Sequence, residues 1–473
     1  MIDKTVSSLS EAVADIWDGA TVMVSGFIGV GAPWNLMDAL IQRKVKDLTL
    51  MANSFVDCYP LTDAVMVKKL ITTYAVGSYA FKEDDAIEEQ WKAGKLTVEQ
   101  LPEGIFSEMV RAGGMGISAF YSNVGAGTFQ EEGREVKNIE GVDCVLYNSL
   151  RADFALIAAE KADKYGNLVY RKTARNINPL MAAAADITIV EVPEIVEPGE
   201  IDPEHIVTPG IFVNRLVKAT PVYHDFFVRA VANEIIGKKD WVEGDMEQPR
   251  YRGGLNREQI GFRTIQELKE GYYINIGQGM ANEALKFLSD EQEIFLQGEN
   301  GIIGYWKIPE NEADRDPGLV NPSGIPVSLK PGAAFTDTMV SFGIMRARHL
   351  DLALMGAFQV SEKGDIANWA LPNKIGGIGG AMDLATGAKR VIVVMWHTES
   401  DGRPKILKKC TYPLTAVHAI NQIFTNLAII SITDEGLVLE EIAPGYSFEE
   451  VQSYTEPRLI KSDTLREIPS KNI

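Results

Sequence analysis

The chain has few cysteines, few histidines and a shortage of positive charge. Three cysteines in 473 residues, Cys58, Cys144 and Cys410, are too few and too scattered for a disulfide framework or a zinc spacing, and they point to a reducing compartment. Five histidines without ligand spacing predict no metal site. His397, after the apolar residues 391–396, has no serine or cysteine placed with it and is expected to be structural. A net charge of −19 leaves no basic surface for nucleic acid or an anionic membrane, although a few local cations would suffice for a phosphorylated small molecule. The uncharged residues 19–37 contain four glycines and Pro33, so they read as a buried strand entering a glycine loop rather than a membrane span. Residues 1–18 carry Glu11, Asp15 and Asp18 and no basic leader, which predicts a cytoplasmic protein.

What is present is an ordinary globular composition, 46% hydrophobic and 23% charged, at a length that suggests two α/β domains. The chain also resembles itself. Asp18-Gly19-Ala20-Thr21-Val22-Met23-Val24-Ser25-Gly26 parallels Glu270-Gly271-Tyr272-Tyr273-Ile274-Asn275-Ile276-Gly277. Ala152-Asp153-Phe154-Ala155-Leu156-Ile157 parallels Leu350-Asp351-Leu352-Ala353-Leu354-Met355, and residues 187–192 parallel residues 391–395. The offset falls from about 250 to about 200 residues, so the first half holds extra residues between roughly 60 and 150, expected in surface loops. Short apolar runs alternating with helical periods predict a parallel sheet in each half. The expected division is a first domain over 1–236, a linker over 237–257 and a second domain over 258–473, with the site between the domains.

The candidate for chemistry is Glu299 in Leu296-Gln297-Gly298-Glu299-Asn300-Gly301. It puts one carboxylate at the end of an apolar strand, on a turn made by Asn300 and Gly301, where side chains of α/β proteins reach substrate. A carboxylate with little water around it can act as a nucleophile. Glu-Asn-Gly by itself also fits a plain tight turn. The loop Ser25-Gly26-Phe27-Ile28-Gly29-Val30-Gly31 follows a strand and precedes a helix, so its backbone N–H groups could approach an anion. Its glycine spacing is not that of a dinucleotide fold. Gly376-Gly377-Ile378-Gly379-Gly380 runs into a second helix start and could present oxyanion donors. Asn53 and Asn275 stand at a strand end and on a strand. Lys330, Arg346, Arg348, Arg403, Lys405, Lys408 and Lys409 are available as local cations.

Taken in order, these segments resemble family I coenzyme A transferases of the 3-oxoacid type, with both subunit types fused in one chain. In the first unit, about residues 10–230, the matching text is Gly26-Phe27, Gly31-x-Pro33, Arg111-Ala112-Gly113-Gly114-x-Gly116, Gly125-x-Gly127-Thr128 and Ala174-Arg175-Asn176. In the second, about 258–460, it is Glu299-Asn300-Gly301, Pro331-Gly332-Ala333-Ala334-Phe335, Met355-Gly356-Ala357-Phe358-Gln359-Val360, Gly364-Asp365-Ile366-Ala367-Asn368-Trp369, Gly379-Gly380-Ala381-Met382-Asp383-Leu384 and Lys408-Lys409-Cys410-Thr411.

The resemblance implies two NagB-like open α/β domains with the active site at their interface. It implies Glu299 as the nucleophile, Gly380 with Gly379 as oxyanion donors, and Asn53, Asn275, Glu103, Gly26 and Phe27 around the substrate. Gly301, Asn300, Lys330 and Arg348 are then candidates for coenzyme A. No permanently bound cofactor is implied; coenzyme A is substrate and covalent intermediate. The partners expected are an acyl-CoA, a carboxylic acid and further copies of the chain, as a homodimer or homotetramer. An acyl-CoA hydrolase and a non-catalytic acyl-CoA-binding regulator are the competing readings.

Three departures from the family pattern stand out. Ser25 and Ile28 replace common glycines, Arg346-Ala347-Arg348-His349 replaces Arg-Gly-Gly-His, and Glu103 replaces a common Gln. An ionised Glu only accepts hydrogen bonds, so an added carboxylate near the acyl pocket is expected to disfavour dicarboxylic acyl groups.

Overall fold

The computed structural model describes residues 2–75, 86–222 and 253–469. Strands of the first sheet are β1 (Thr21–Val24), β2 (Leu48–Ser54), β3 (Val67–Tyr74), β4 (Thr97–Gln100), β5 (Ala152–Ala158), β6 (Ala185–Val192) and β7 (Arg215–Lys218). They lie in the order β7-β6-β5-β1-β2-β3-β4, every pair parallel. Val22, Met23 and Val24 are all fully buried. The run is continuously apolar because both faces of a parallel sheet are covered. Helix α1 (Trp34–Arg43) packs Leu36 and Leu40 with Val22 and Val24, and helix α2 (Glu103–Gly114) packs Ile105 and Phe106 with Met23 on the other face. Each such side chain stabilises the layer by about 1.5–3 kcal/mol.

The second half starts with α3 (Arg257–Ile265) and builds a sheet from β8 (Tyr273–Ile276), β9 (Phe295–Gln297), β10 (Ile302–Tyr305), β11 (Leu329–Phe335), β12 (Leu352–Met355), β13 (Val391–Val394), β14 (Gln422–Phe424), β15 (Ala428–Thr433), β16 (Gly436–Ile442) and β17 (Leu459–Glu467). Its order is β11-β10-β9-β8-β12-β13-β14-β15-β16-β17. The parallel centre β9-β8-β12-β13-β14 repeats β2-β1-β5-β6-β7 of the first sheet strand for strand. The strand order therefore reverses at equivalent places in the two sheets, beside β1 and beside β8, the positions at which open α/β sheets place a ligand crevice.

Two expectations change. The extra residues of the first half are not only surface loop: β3 and β4 extend the sheet by two strands, and residues 119–148 form a small three-stranded sheet of their own. Leu70, Ile71, Thr72 and Thr73 are all buried in β3, so this segment is a full member of the sheet. Of the proposed linker 237–257, residues 237–252 lie outside the described residues. Arg257 already belongs to α3, which Asn256 caps by accepting from Gln259 N at 2.8 Å while the Gln259 side chain accepts from Asn256 N at 3.0 Å. Among the described residues no helix is long and apolar enough to cross a membrane.

Candidate active site

Glu299 sits at the tip of the β9–β10 turn. Gly298 N donates to Ile302 O at 2.7 Å and Gly301 N donates to Gly298 O at 3.0 Å. Gly301 has φ +93°, and a Cβ there would stand 2.1 Å from Thr336 O, so only glycine closes this turn. Asn300 Nδ2 donates to Val320 O at 2.9 Å, while its buried Oδ1 has no partner. Below the turn, Asn275 Nδ2 donates to Gln297 O at 3.1 Å and to Gln297 Oε1 at 2.9 Å; Gln297 Nε2 donates to Ser341 Oγ at 2.6 Å. Ser341 Oγ in turn donates to Gly298 O at 2.8 Å. The Asn275 and Asn300 amide N–H groups and the Gly301 backbone are thus committed to holding Glu299.

The first half brings Glu103 and Asn53 to the same place. Glu103 begins α2, and its N–H donates to Gly379 O at 3.0 Å. Gly379 N and Ile378 N both donate to Thr73 O at 3.0 Å, which pins the glycine run to β3. Two helices of the second half follow, α4 (Thr338–Arg346) and α5 (Ala381–Gly387), and Gly380 stands at the start of α5. A Cβ on Gly380 would stand 2.4 Å from Glu299 Oε1, so the carboxylate lies directly against this backbone. Asp383, in the first turn of α5, accepts from Gly104 N at 3.0 Å and from Arg346 Nη1 at 3.3 Å.

Three carboxyl groups, Glu103, Glu299 and Asp383, therefore share one small volume with one guanidinium, Arg346. Burial pushes the Glu299 carboxyl up from its usual range, and the charge of Asp383 adds to the rise. Glu103 is also held well above its usual range, by burial, then by the charge of Glu299, against a hydrogen bond from Asn53. Burial also raises Asp383, against Arg346 and the Gly104 N–H. Among the described residues no donor or cation pairs with the Glu299 carboxylate, and the side chain keeps partial access to solvent. An unpaired carboxylate in poor solvation is a reactive one.

The first glycine loop is arranged differently from the expectation. Gly29 N donates to Asp57 Oδ1 at 2.7 Å, and Phe27 N to Val30 O at 3.0 Å. A Cβ on Gly26, φ +134°, would meet Asp57 Oδ1 at 2.7 Å. The N-terminus of α1 is filled as well, with Leu36 N donating to Glu191 Oε2 at 2.8 Å. Gly29 N and Leu36 N close on internal carboxylates and Phe27 N on the Val30 carbonyl, so these N–H groups of the loop and helix start are already paired. Sequence reasoning missed Asp57; its one signal is Ser54-x-x-Asp57, a capping-box spacing that the structure uses, with Ser54 Oγ donating to Asp57 at 2.7 Å. Burial first of all raises the Asp57 carboxyl to about 6.

Of the candidate cations Arg346 joins the carboxyl cluster, whereas Lys330 and Arg348 stand away from Glu299. Lys330 stacks on Trp306, 3.9 Å from the ring centre, and donates to Gln292 O. It lies at the far end of β11 from Phe335, the residue that pairs with Ile302; five residues of strand span roughly 17 Å. Arg348 is exposed in the turn after α4 at φ +60°, and the nine residues of that helix (Thr338–Arg346) put it about 14 Å from the Gly301 end. Lys408 and Lys409 are exposed. His397 is fully buried, with Thr425 and Thr455 hydroxyls at 2.9 Å from its two ring nitrogens, as a structural histidine would be.

Residues 316–320 of the second half dock on residues 171–173 of the first. Arg171 Nη1 donates to Asp316 Oδ1 at 2.7 Å, Lys172 Nζ to Asp316 Oδ2 at 2.6 Å, and Thr173 Oγ1 to Gly318 O at 2.8 Å. Burial alone would raise the Asp316 carboxyl, but these hydrogen bonds hold it well below the usual range. A depressed carboxylate stabilises the fold above its ordinary pKa, and the gain is lost as pH falls toward its native value. Asp316→Ala is expected to cost about 1–2 kcal/mol near neutral pH, discounted for the part-exposed cations. Because Val320 O holds Asn300, kcat should fall a few-fold as well; urea denaturation at pH 7 and pH 4 together with steady-state rates would check it, the mutant's deficit being smaller at pH 4.

The sequence profile of the coenzyme A transferase family matches residues 6–219 and 260–453. The human succinyl-CoA:3-ketoacid coenzyme A transferase 2, mitochondrial, is 38% identical over 482 residues, covering 96% of this chain and 90% of that protein. One of the subunits of the 3-oxoadipate CoA-transferase of Pseudomonas putida is 42% identical over 235 residues, covering 49% of this chain and 100% of its own length. Among solved structures, the acyl-CoA transferase apoenzyme of Escherichia coli O157:H7 superposes with a TM-score of 0.76 at 19% identity, covering 99% of this chain and 95% of that one.

Proposed function

This chain belongs to the coenzyme A transferase family, and we propose that it passes coenzyme A between a short-chain acyl-CoA, or 3-oxoacyl-CoA, and a carboxylic acid by way of Glu299. The observation that carries this reading is the unpaired, poorly solvated Glu299 carboxylate lying against the backbone of Gly380. A Glu299 carboxylate oxygen attacks the thioester carbonyl carbon, and the oxyanion that forms collapses by expelling coenzyme A as thiolate, leaving a mixed anhydride. The thiolate then attacks the Glu299 acyl carbon and expels the first acid as carboxylate. The resulting glutamyl-CoA thioester meets the incoming acid, and the same steps run backwards. No proton is consumed overall. One well-placed oxyanion donor is worth about 3–4 kcal/mol, and the Gly380 N–H, on the backbone against which the attacking carboxylate lies, is the candidate for it.

Asn53 and Glu103 come from one half and Glu299 from the other, so each chain holds a whole site. We take a homodimer or homotetramer of such chains as the working assembly. The test is intact-protein mass spectrometry after mixing with acyl-CoA but no acceptor: a mass gain of coenzyme A less water, mapped to Glu299. A hydrolase would instead release free thiol at a steady rate without acceptor acid and accumulate no adduct.

Substrate choice follows from the same carboxyl cluster. A dicarboxylic acyl group brings another charge toward Glu299 and Asp383, so kcat/KM for succinyl-CoA is expected to be at least about tenfold below that for butyryl-CoA. Equal values for the two donors would remove the idea.

A further inference from the structure

We propose that Glu103 keeps the last proton of the Glu103–Glu299 pair, so that one carboxyl attacks while the other stands beside it as a neutral O–H donor, and that transfer fails on the alkaline side when this proton leaves. The inference rests on the reading of Glu299 as nucleophile and adds the residue that controls its charge environment.

Glu103 and Glu299 approach adjacent residues of one backbone: Glu103 Oε2 is 3.8 Å from where a Cβ on Gly379 would stand, and Glu299 Oε1 is 2.4 Å from the corresponding point on Gly380. The Glu103 backbone is fixed by its own N–H on Gly379 O, and its carboxyl takes one hydrogen bond, from Asn53. Its Oε1 is buried and has no hydrogen-bond partner, and Asn53 Oδ1 beside it is buried and unpartnered too. An ionised carboxylate with an orphan oxygen in this position would be costly; a neutral acid with a free O–H costs far less.

Every carboxyl group facing Glu103 argues the same way. Glu299 comes from the β9–β10 turn, Asp383 from α5 and Asp57 from the residues after β2, and each raises the cost of a negative charge on Glu103. Arg346 of α4 is the cation in this cluster, and it is taken by Asp383 at 3.3 Å and by Glu108 of α2 at 3.5 Å. Asn53 supplies one neutral hydrogen bond. Burial and the Glu299 charge thus both hold the proton on Glu103, and the pair titrates as a unit. When a second proton binds, Glu299 is no longer a nucleophile. When the last one leaves, a fixed negative charge stands where an oxyanion must form.

The test uses Glu103→Gln, which keeps the shape and an N–H donor but cannot ionise. The wild type is expected to show kcat/KM falling on the alkaline side, and the variant to lack that fall. An alkaline fall that is the same in both proteins would overturn the proposal. A second readout needs no activity. A buried acid whose native pKa is raised loses stability as pH climbs above its unfolded value, near about 4.3, so Glu103→Gln should gain in Tm over wild type at pH 8 relative to pH 5. A Tm difference independent of pH would count equally against it. If the wild type forms no adduct on Glu299, the nucleophile reading falls, while the Tm comparison still decides whether Glu103 holds a proton.

Discussion

Glu299→Ala should reduce coenzyme A exchange by at least about 10⁴-fold, the scale seen when a covalent nucleophile is removed, and should abolish the adduct. The neighbouring carboxyls cannot take over. Asp383 is fully buried and fixed by the Gly104 N–H and Arg346. Glu103, from the opposite half, is the group that burial and the Glu299 charge keep protonated. The fold should not suffer, because nothing hydrogen-bonds the Glu299 carboxylate among the described residues and its burial is itself unfavourable. Thermal melts are expected to match wild type or exceed it slightly. Glu299→Asp separates position from chemistry: the carboxylate remains but is withdrawn by one methylene, and a displacement of that size costs on the order of 10²-fold. Parental exchange rates in the alanine variant, measured with two acids and no free thiol released, would end the account.

Much of this arrangement is readable in the residues, and the reasons are physical. Buried parallel strands must be short, apolar and ended by turn formers, so the repeats at residues 18–26 and 270–277 mark β1 and β8, and with them the place where each strand order reverses. Glu299 is legible because the turn needs Gly301 at φ +93° and the chain supplies it. Ile28 stands where the family commonly has a glycine, and it does sit at φ +48°, a costly conformation for a β-branched residue. What stays hidden are partnerships between distant segments. Nothing local in the sequence says that Gly29 faces Asp57, that Gly104 meets Asp383, or that Gln297 is gripped by Asn275 and Ser341. Each is a buried polar group satisfied from another element. Lys330 gives no local signal of its surroundings either: it is part-buried between the Trp306 ring and Gln292 O, both on other segments.

Gly380→Ala should lower kcat by about 10²–10³-fold while leaving the fold intact. The backbone at Gly380 has φ −80° and ψ 1°, which any residue can adopt, so the substitution brings no conformational strain. Its effect is purely local: the new Cβ would lie 2.4 Å from Glu299 Oε1 and 2.7 Å from Cδ, so the carboxylate must move. Gly379→Ala, one residue earlier, is the control. There φ is +52°, which costs an alanine about 1 kcal/mol, but the nearest atoms stand at 3.7 and 3.8 Å and nothing is displaced. The two variants should therefore trade places between assays, Gly379→Ala losing a few degrees of Tm with kcat nearly preserved, and Gly380→Ala keeping Tm while losing turnover and adduct formation together. If Gly380→Ala turned over at the parental rate, the carboxylate would not need the position in which it is found, and contact with this backbone could not be what orients the attack.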